Sequence, residues 1–234
     1  MQQILKAQHT ASRIRFPLAQ PRDASVEAMA KAWTRADLVR YQKRWARGWV
    51  PPVPREFMAY SWRACDIGCG FGKYLLRESA LHPDRAYLGI DKGNLRGGSM
   101  LKRFETANRP NLFGLHCNAI PFLASLPDRC LDSITVFYPN PWWPSKHRKK
   151  RWPYHPLFPK LAALLKKGGV LLVTSNEGFY LEEWVYAMDH HPAIQAMAPI
   201  YRGPMVETEG RTHFETKFIE AGTPCGELRF QKID

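Results

Sequence analysis

Seven consecutive residues constrain the fold more than any others: Asp66-Ile67-Gly68-Cys69-Gly70-Phe71-Gly72. Three glycines in five positions let a backbone turn sharply and approach a ligand closely. Residues 63–67 read as a short strand running into them, and 74–81 as a helix running out. The helix start then offers free N–H groups and the positive end of its dipole. Downstream, strands are expected over 86–90, 112–116, 133–137 and 170–174. Helices are expected over 95–107, 155–167 and 179–189, the second with Leu157, Leu161, Leu164 and Leu165 on one face before Gly168-Gly169. Alternation at this spacing predicts an α/β fold: a mostly parallel, Rossmann-like sheet with helices on both faces. Residues 199–234 read as one or two strands at the sheet edge. Upstream, 24–47 are helix-rich, and Val50-Pro51-Pro52-Val53-Pro54 reads as a connection. Residues 1–61 therefore read as a helical N-terminal extension or lid, and 62–234 as the ligand-binding domain.

Asp91 closes the second expected strand, 21 residues after Gly70. An acid there can accept both hydroxyls of a ribose. The spacing is Gly-x-Gly-x-Gly, not the Gly-x-Gly-x-x-Gly of dinucleotide folds, which favours a nucleoside without a pyrophosphate, such as S-adenosylmethionine. Asn118, just past the third strand, suits an adenine edge, or equally a turn.

The net charge is +13, and it is concentrated. Residues 1–64 carry twelve Lys/Arg against four acids, and 140–169 carry eight against none, so the rest of the chain is net negative. Lys146-His147-Arg148-Lys149-Lys150-Arg151 puts five cations in six residues, bracketed by Trp142, Trp143 and Trp152. Such a run attracts phosphates, and the aromatics beside it suit base stacking or hydrophobic anchoring. Five cysteines form no Cys-x-x-Cys pair, which argues against a zinc site and for free thiols in a reducing cytoplasm. No apolar run approaches the ~20 residues of a membrane helix, and the first twenty residues have no signal-like apolar core.

Five motifs then occur in order: Asp66-Ile-Gly-Cys-Gly-Phe-Gly72, Leu88-Gly-Ile-Asp91, Phe137-Tyr-Pro-Asn-Pro-Trp142, Lys146-His-Arg-Lys-Lys-Arg151 and Thr212-His-Phe-Glu215. From about residue 62 to the C-terminus the chain resembles the bacterial tRNA (guanine-N7)-methyltransferases. The resemblance implies a class I methyltransferase fold, S-adenosylmethionine as cofactor, and methyl transfer to a guanine ring nitrogen in tRNA. It implies that Asp66, Gly68, Cys69, Gly70 and Gly72 hold the methionine end of the cofactor. Asp91 would hold the ribose and Asn118 the adenine, with Lys92 and Ala119 also at the cofactor. Tyr138 and Asn140, in the loop that ends at Trp142, and Ser175 would lie at the reacting centre. Trp142 and the run Lys146, His147, Arg148, Lys149, Lys150 and Arg151 would meet tRNA, and Thr212 and Glu215 would approach the substrate. No metal is implied.

Three departures cut across that pattern. The family has Asp-Pro-Trp where this chain has Asn140-Pro-Trp, commonly Asp at Asn118, and Thr-Asp where this chain has Thr174-Ser175. Guanine N7 carries a lone pair and no proton, so the reaction needs placement and electrostatic stabilisation, not a base. Loss of three carboxylates opens a second reading: a diverged enzyme that methylates a small nitrogen nucleophile, or closes the cofactor's own α-amine into azetidine-2-carboxylate with release of methylthioadenosine. That amine must be neutral, and carboxylates nearby would keep it protonated. Tyr138, Trp142, Phe179 or Tyr180 could then hold the sulfonium by cation–π contact. A third reading is an idle binder that keeps the pocket and the basic face.

Overall fold

The computed structural model describes residues 50–234 apart from 192, 193, 195, 196, 206 and 207, together with Met29, Lys31, Trp33, Ala36, Val39, Arg40, Tyr41 and Lys43. Most of the expected N-terminal extension, and most of the helix expected over 24–47, lies outside the described residues. The elements run α1 (Arg55–Ala59), β1 (Arg63–Ile67), α2 (Lys73–Leu81), β2 (Ala86–Asp91), α3 (Asn94–Ala107), β3 (Leu112–His116), α4 (Ala119–Ser125) and β4 (Leu131–Phe137). Two 3₁₀ turns follow, Ser145–Lys150 and Trp152–Tyr154. Then come α5 (Phe158–Leu164), β5 (Leu165–Ser175), α6 (Gly178–His190), β6 (Met197–Pro204), α7 (His213–Glu220) and β7 (Gly226–Lys232).

The seven strands stand in the order β3-β2-β1-β4-β5-β7-β6. The first five are parallel, and β7 and β6 pair antiparallel at one edge. The order reverses between β1 and β4, and the space beyond the strand C-termini at such a point is the usual ligand position in sheets of this kind. Outermost β6 holds Pro199 and Pro204 and shifts register between Pro199 and Tyr201.

Alternation along the strands feeds two cores. Cys65, Ile67, Leu88, Ile90, Ile134, Val136, Leu171, Val173, Leu228 and Phe230 join the large cluster with α4, α5 and α6. Ala64, Tyr87 and Leu112 face the opposite way, with Leu75 of α2 and Met100 and Phe104 of α3. Beneath β4, β5 and β7 that second face changes character: Thr135, Thr174 and Glu227 are buried there. Among the described N-terminal residues, Met29 is buried in the large cluster. Trp33 stacks on Phe158 and meets His191 at a tilt, and its Nε1 donates to the Pro153 carbonyl at 2.7 Å.

Two expectations need correction. Helix α5 ends at Leu164, not at 167, and β5 starts at once. The last α5 carbonyls, Ala163 and Leu164, accept from the Arg129 and Cys130 N–H groups at 2.8 and 2.9 Å. The chain ahead of β4 thereby caps the helix, and Leu165 pairs with Leu131 across an irregularity in the ladder. Residues 199–234 do supply two edge strands, but α7 lies between them and the strand pattern hid it. All five cysteines are free thiols, four of them buried. Among the described residues no helix is long and apolar enough to cross a membrane.

Gly72 is a glycine for packing. Its φ is +74°, and a Cβ would lie 2.3 Å from the Phe104 ring. We predict that Gly72→Ala lowers unfolding free energy by about 2–4 kcal/mol, to be read from urea denaturation.

Candidate active site

The loop after β1 is fastened to the end of β2. The Ile90 carbonyl accepts from the Gly68 and Cys69 N–H groups at 2.7 and 3.1 Å. Asp91 accepts from Gly70 N–H through Oδ2 at 3.0 Å and from Gly93 N–H through Oδ1 at 2.7 Å. Gly68 and Gly70 have φ of +77° and +61°, and a Cβ on either would meet nothing within 4 Å. The loop thus presents bare backbone to open space, while the Cys69 side chain turns inward against Met100 Sδ at 3.0 Å. Lys92 is exposed and Ala119 half-buried nearby in sequence. Asn118 is exposed and caps α4, its Oδ1 accepting from Ile120 N–H at 3.1 Å.

Asp66 lies beside this loop, buried, its Oδ1 accepting from Thr135 Oγ1 at 2.8 Å. Burial raises its pKa from 3.8 to about 7. The Thr135 hydrogen bond opposes that rise, the charge of Asp91 adds to it, and Arg211 opposes it. Asp66 is therefore partly protonated at neutral pH.

Past β4 the chain turns through Tyr138, Pro139, Asn140, Pro141 and Trp142. Tyr138 and Trp142 hold φ of +49° and +45°, strained values for such side chains. Asn140 is exposed, and its Oδ1 accepts from Trp142 N–H at 2.9 Å. Ser175 is buried at the end of β5, and its Oγ accepts from Glu177 N–H at 3.0 Å. Both neutral residues therefore brace their own turns.

Glu215 and Thr212, expected at the substrate, stand in and at the start of α7. Glu215 is fully buried. Its carboxylate accepts from Arg211 Nε at 2.9 Å and Nη2 at 2.8 Å, and from the Tyr138 hydroxyl at 3.0 Å. Burial opposes its ionisation, but the Arg211 hydrogen bonds and charge outweigh burial and hold its pKa low. Thr212 caps α7, its Oγ1 accepting from Glu215 N–H at 3.0 Å. The spacing Thr-x-x-Glu is thus a helix-start signal. Arg151, expected on nucleic acid, has no exposed surface and meets Glu183 at 2.6 Å. Lys146, Lys149 and Lys150 are exposed, His147 and Arg148 half-buried, and Lys150 Nζ sits 4.1 Å above the Trp142 ring.

Sequence reasoning missed Arg211. Its guanidinium lies 4.8 Å from the Phe137 ring and bridges Glu215 to Glu227, the latter at 2.8 Å. Arg229 pairs with the other Glu227 oxygen at 2.6 Å. Glu215 is four residues on, but the second partner, Glu227, comes from β7 and is not visible in local sequence. The first turn of α7 also reaches the glycine loop: Lys73 Nζ donates to Thr216 Oγ1 at 2.8 Å, and Phe71 meets His213 edge-on at 5.2 Å.

Residues 62–228 match a family described as putative methyltransferase. In Pseudomonas syringae pv. tomato a tRNA (guanine-N(7)-)-methyltransferase is 30% identical over 185 residues, 74% of this chain and 71% of its own length. One from Acinetobacter baylyi is 27% identical over 169 residues, 72% of this chain and 69% of its own. Among solved structures, the 16S rRNA (adenine(1408)-N(1))-methyltransferase from Catenulisporales acidiphilia with its cosubstrate superposes with TM-score 0.53 at 16% identity, over 82% of this chain and 92% of its own. A geranyl diphosphate methyltransferase superposes at 0.52 with 10% identity, over 83% and 77%. These two likenesses concern the fold alone. The chain is a methyltransferase of the class I α/β fold. Within that class it belongs to the family of the bacterial tRNA (guanine-N7)-methyltransferases, as a diverged member.

Asp66 generates a prediction with a definite sign. Its pKa is raised on folding, so its contribution to stability is full below about pH 4 and is lost as pH rises through 7. Asp66→Asn cannot ionise in either state. At pH 8 the variant should be more stable than wild type by up to about 4 kcal/mol, read from urea denaturation, and the gap should close toward pH 4. Its S-adenosylmethionine affinity should fall at every pH, measured by calorimetry.

Proposed function

We propose that this enzyme transfers a methyl group to a ring nitrogen of guanine in tRNA. The observation that carries the reading is the exposed cationic surface of Lys146, Lys149 and Lys150. It follows directly on the strained loop at the end of β4, so phosphate contacts would set register beside the reacting centre.

The residues present fit the cofactor. Gly68 and Gly70 offer a floor that a side chain would fill. Asp66 is a buried acid with a raised pKa, suited to an ammonium, and it ionises more readily when a cation lies beside it. Asp91 already accepts two backbone N–H groups and suits ribose hydroxyls. Asn118 can meet an adenine edge, with Ala119 and Lys92 beside the nucleoside. When bound, S-adenosylmethionine supplies a methyl group on a sulfonium, open to in-line attack by a nitrogen lone pair. The chain's own work is placement. The 138–142 loop orients Asn140 toward the acceptor, Tyr138 offers a ring face, and Ser175 shapes the neighbouring turn. Thr212 and Glu215 act from behind, through Tyr138.

One observation favours a second reading. Asn118, Asn140 and Ser175 stand where the family carries acids, and each hydrogen-bonds its own backbone. A centre without carboxylates there suits a neutral amine nucleophile, either a small acceptor or the cofactor's own α-amine with release of methylthioadenosine.

The test is mass spectrometry of purified protein with S-adenosylmethionine, with and without unmodified tRNA. S-adenosylhomocysteine formed only with tRNA, and 7-methylguanosine in its digest, is the expected result. Methylthioadenosine without acceptor would overturn it in favour of the second reading. In either case Asn140→Ala should lower kcat at least tenfold, and Asp91→Ala should weaken cofactor binding at least tenfold, each an effect of about 1.4 kcal/mol or more. An unchanged kcat removes Asn140 from the reacting centre.

A further inference from the structure

The guanidinium of Arg151 has an unusual set of partners. Nε donates to the Pro141 carbonyl at 2.7 Å, and Nη2 to the Trp142 and Trp143 carbonyls at 3.0 and 3.2 Å. Nη1 donates to Glu183 Oε1 on α6 at 2.6 Å. The guanidinium carbon lies 5.2 Å from the Phe179 ring, which also meets Trp143 at 4.9 Å. Neither Arg151 nor Glu183 has any exposed surface. Three consecutive carbonyls of one loop, all on one cation, form a backbone clamp. The loop so clamped includes Trp142, at φ +45°, and Asn140, whose side chain caps the same turn.

We propose that Arg151, held by Glu183, is a positioning residue for methyl transfer: it fixes the Pro141–Trp143 backbone, and through it Asn140, beside the reacting centre. The proposal rests on the reading that the loop after β4 borders that centre. It withdraws Arg151 from nucleic-acid contact and gives it a role in turnover. A planar guanidinium suits the task because its donors lie in one rigid fork. Lysine would bring a point charge and could not satisfy three carbonyls and a carboxylate together. A loop strained at Trp142 relaxes when unclamped, and a displacement of about 1 Å in a positioning group can lower rate a hundredfold.

Arg151→Ala alone would strand Glu183 as a buried charge, and that variant can simply fail to fold. The informative variant is the double substitution Arg151→Met/Glu183→Met, which keeps volume and removes both charges, with Arg151→Lys beside it. Four quantities are measured on the full chain: melting temperature, S-adenosylhomocysteine affinity, hydrogen exchange at the Trp142 and Trp143 amides, and steady-state kinetics. The kinetics follow whichever product wild type forms, with tRNA or with the cofactor alone. For the double variant we expect a melting temperature within a few degrees of wild type and affinity within threefold. Loop exchange should be at least tenfold faster, and kcat at least thirtyfold lower with KM for S-adenosylmethionine unchanged. Arg151→Lys should lose at least tenfold in kcat despite keeping its charge. Unchanged loop exchange in the double variant overturns the clamp, whatever the activity. Faster exchange with unchanged kcat overturns the role in turnover, and with it the placement of this loop beside the reacting centre.

Discussion

The end of β2 is the fixed point of this molecule. One carbonyl, of Ile90, and one carboxylate, of Asp91, together take three N–H groups of the glycine loop. A parallel sheet sets the distance between neighbouring strand ends, so these bonds hold the loop at a fixed height above the crevice. Everything that follows is referenced to that loop. Helix α2 starts from it, Phe104 packs beneath its last glycine, and α7 touches it through Lys73 and Phe71. Without the Asp91 carboxylate, Gly70 and Gly93 would both lose an acceptor, and cofactor affinity and loop geometry would fail together.

The two faces of the sheet are stabilised differently. The face covered by α4, α5 and α6 is a continuous apolar core. The other is apolar only under α2 and α3; beneath α7 it becomes a network of Arg211, Glu215, Glu227, Arg229 and Tyr138. Buried charges of this kind contribute little net stability compared with apolar residues of equal volume, but breaking one partner is expensive. What they add here is geometry. The network joins α7 and β7 to Tyr138, where the chain leaves β4 in a strained turn. On the far side of the same turn Arg151 and Glu183 do the corresponding work from α6. The segment between Tyr138 and Trp143 is therefore anchored at both ends by buried arginine–glutamate pairs on opposite faces of the sheet.

Local signals gave the frame of this fold. Strands β1 and β3 fall where alternation and the flanking turns put them, and the glycine loop lies between strand and helix beside Asp91 as expected, because that arrangement is contained in one βαβ unit. What escaped was everything that depends on partners distant in the chain. The spacing Thr212-x-x-Glu215 marks a helix start, but the contact of Glu215 with Tyr138, 77 positions away, exists only in the fold. Arg151 sits in a cationic run by sequence, and nothing in the sequence announces Glu183 as its partner. The end of α5 was misplaced because the caps on its last carbonyls come from the chain ahead of β4.

The outer strand β6 carries a consequence for solution behaviour. An edge strand with a full row of unpaired amide and carbonyl groups is a template for another chain, and long flat edges invite aggregation. Pro199 and Pro204 remove two amide hydrogens from the eight residues of β6, and the register shift after Pro199 interrupts its line. A second strand laid against that edge would find a broken ladder. The antiparallel end of the sheet is thus protected from strand addition by its own backbone, which lets a charged interior and an exposed Ile200 coexist there without inviting polymerisation.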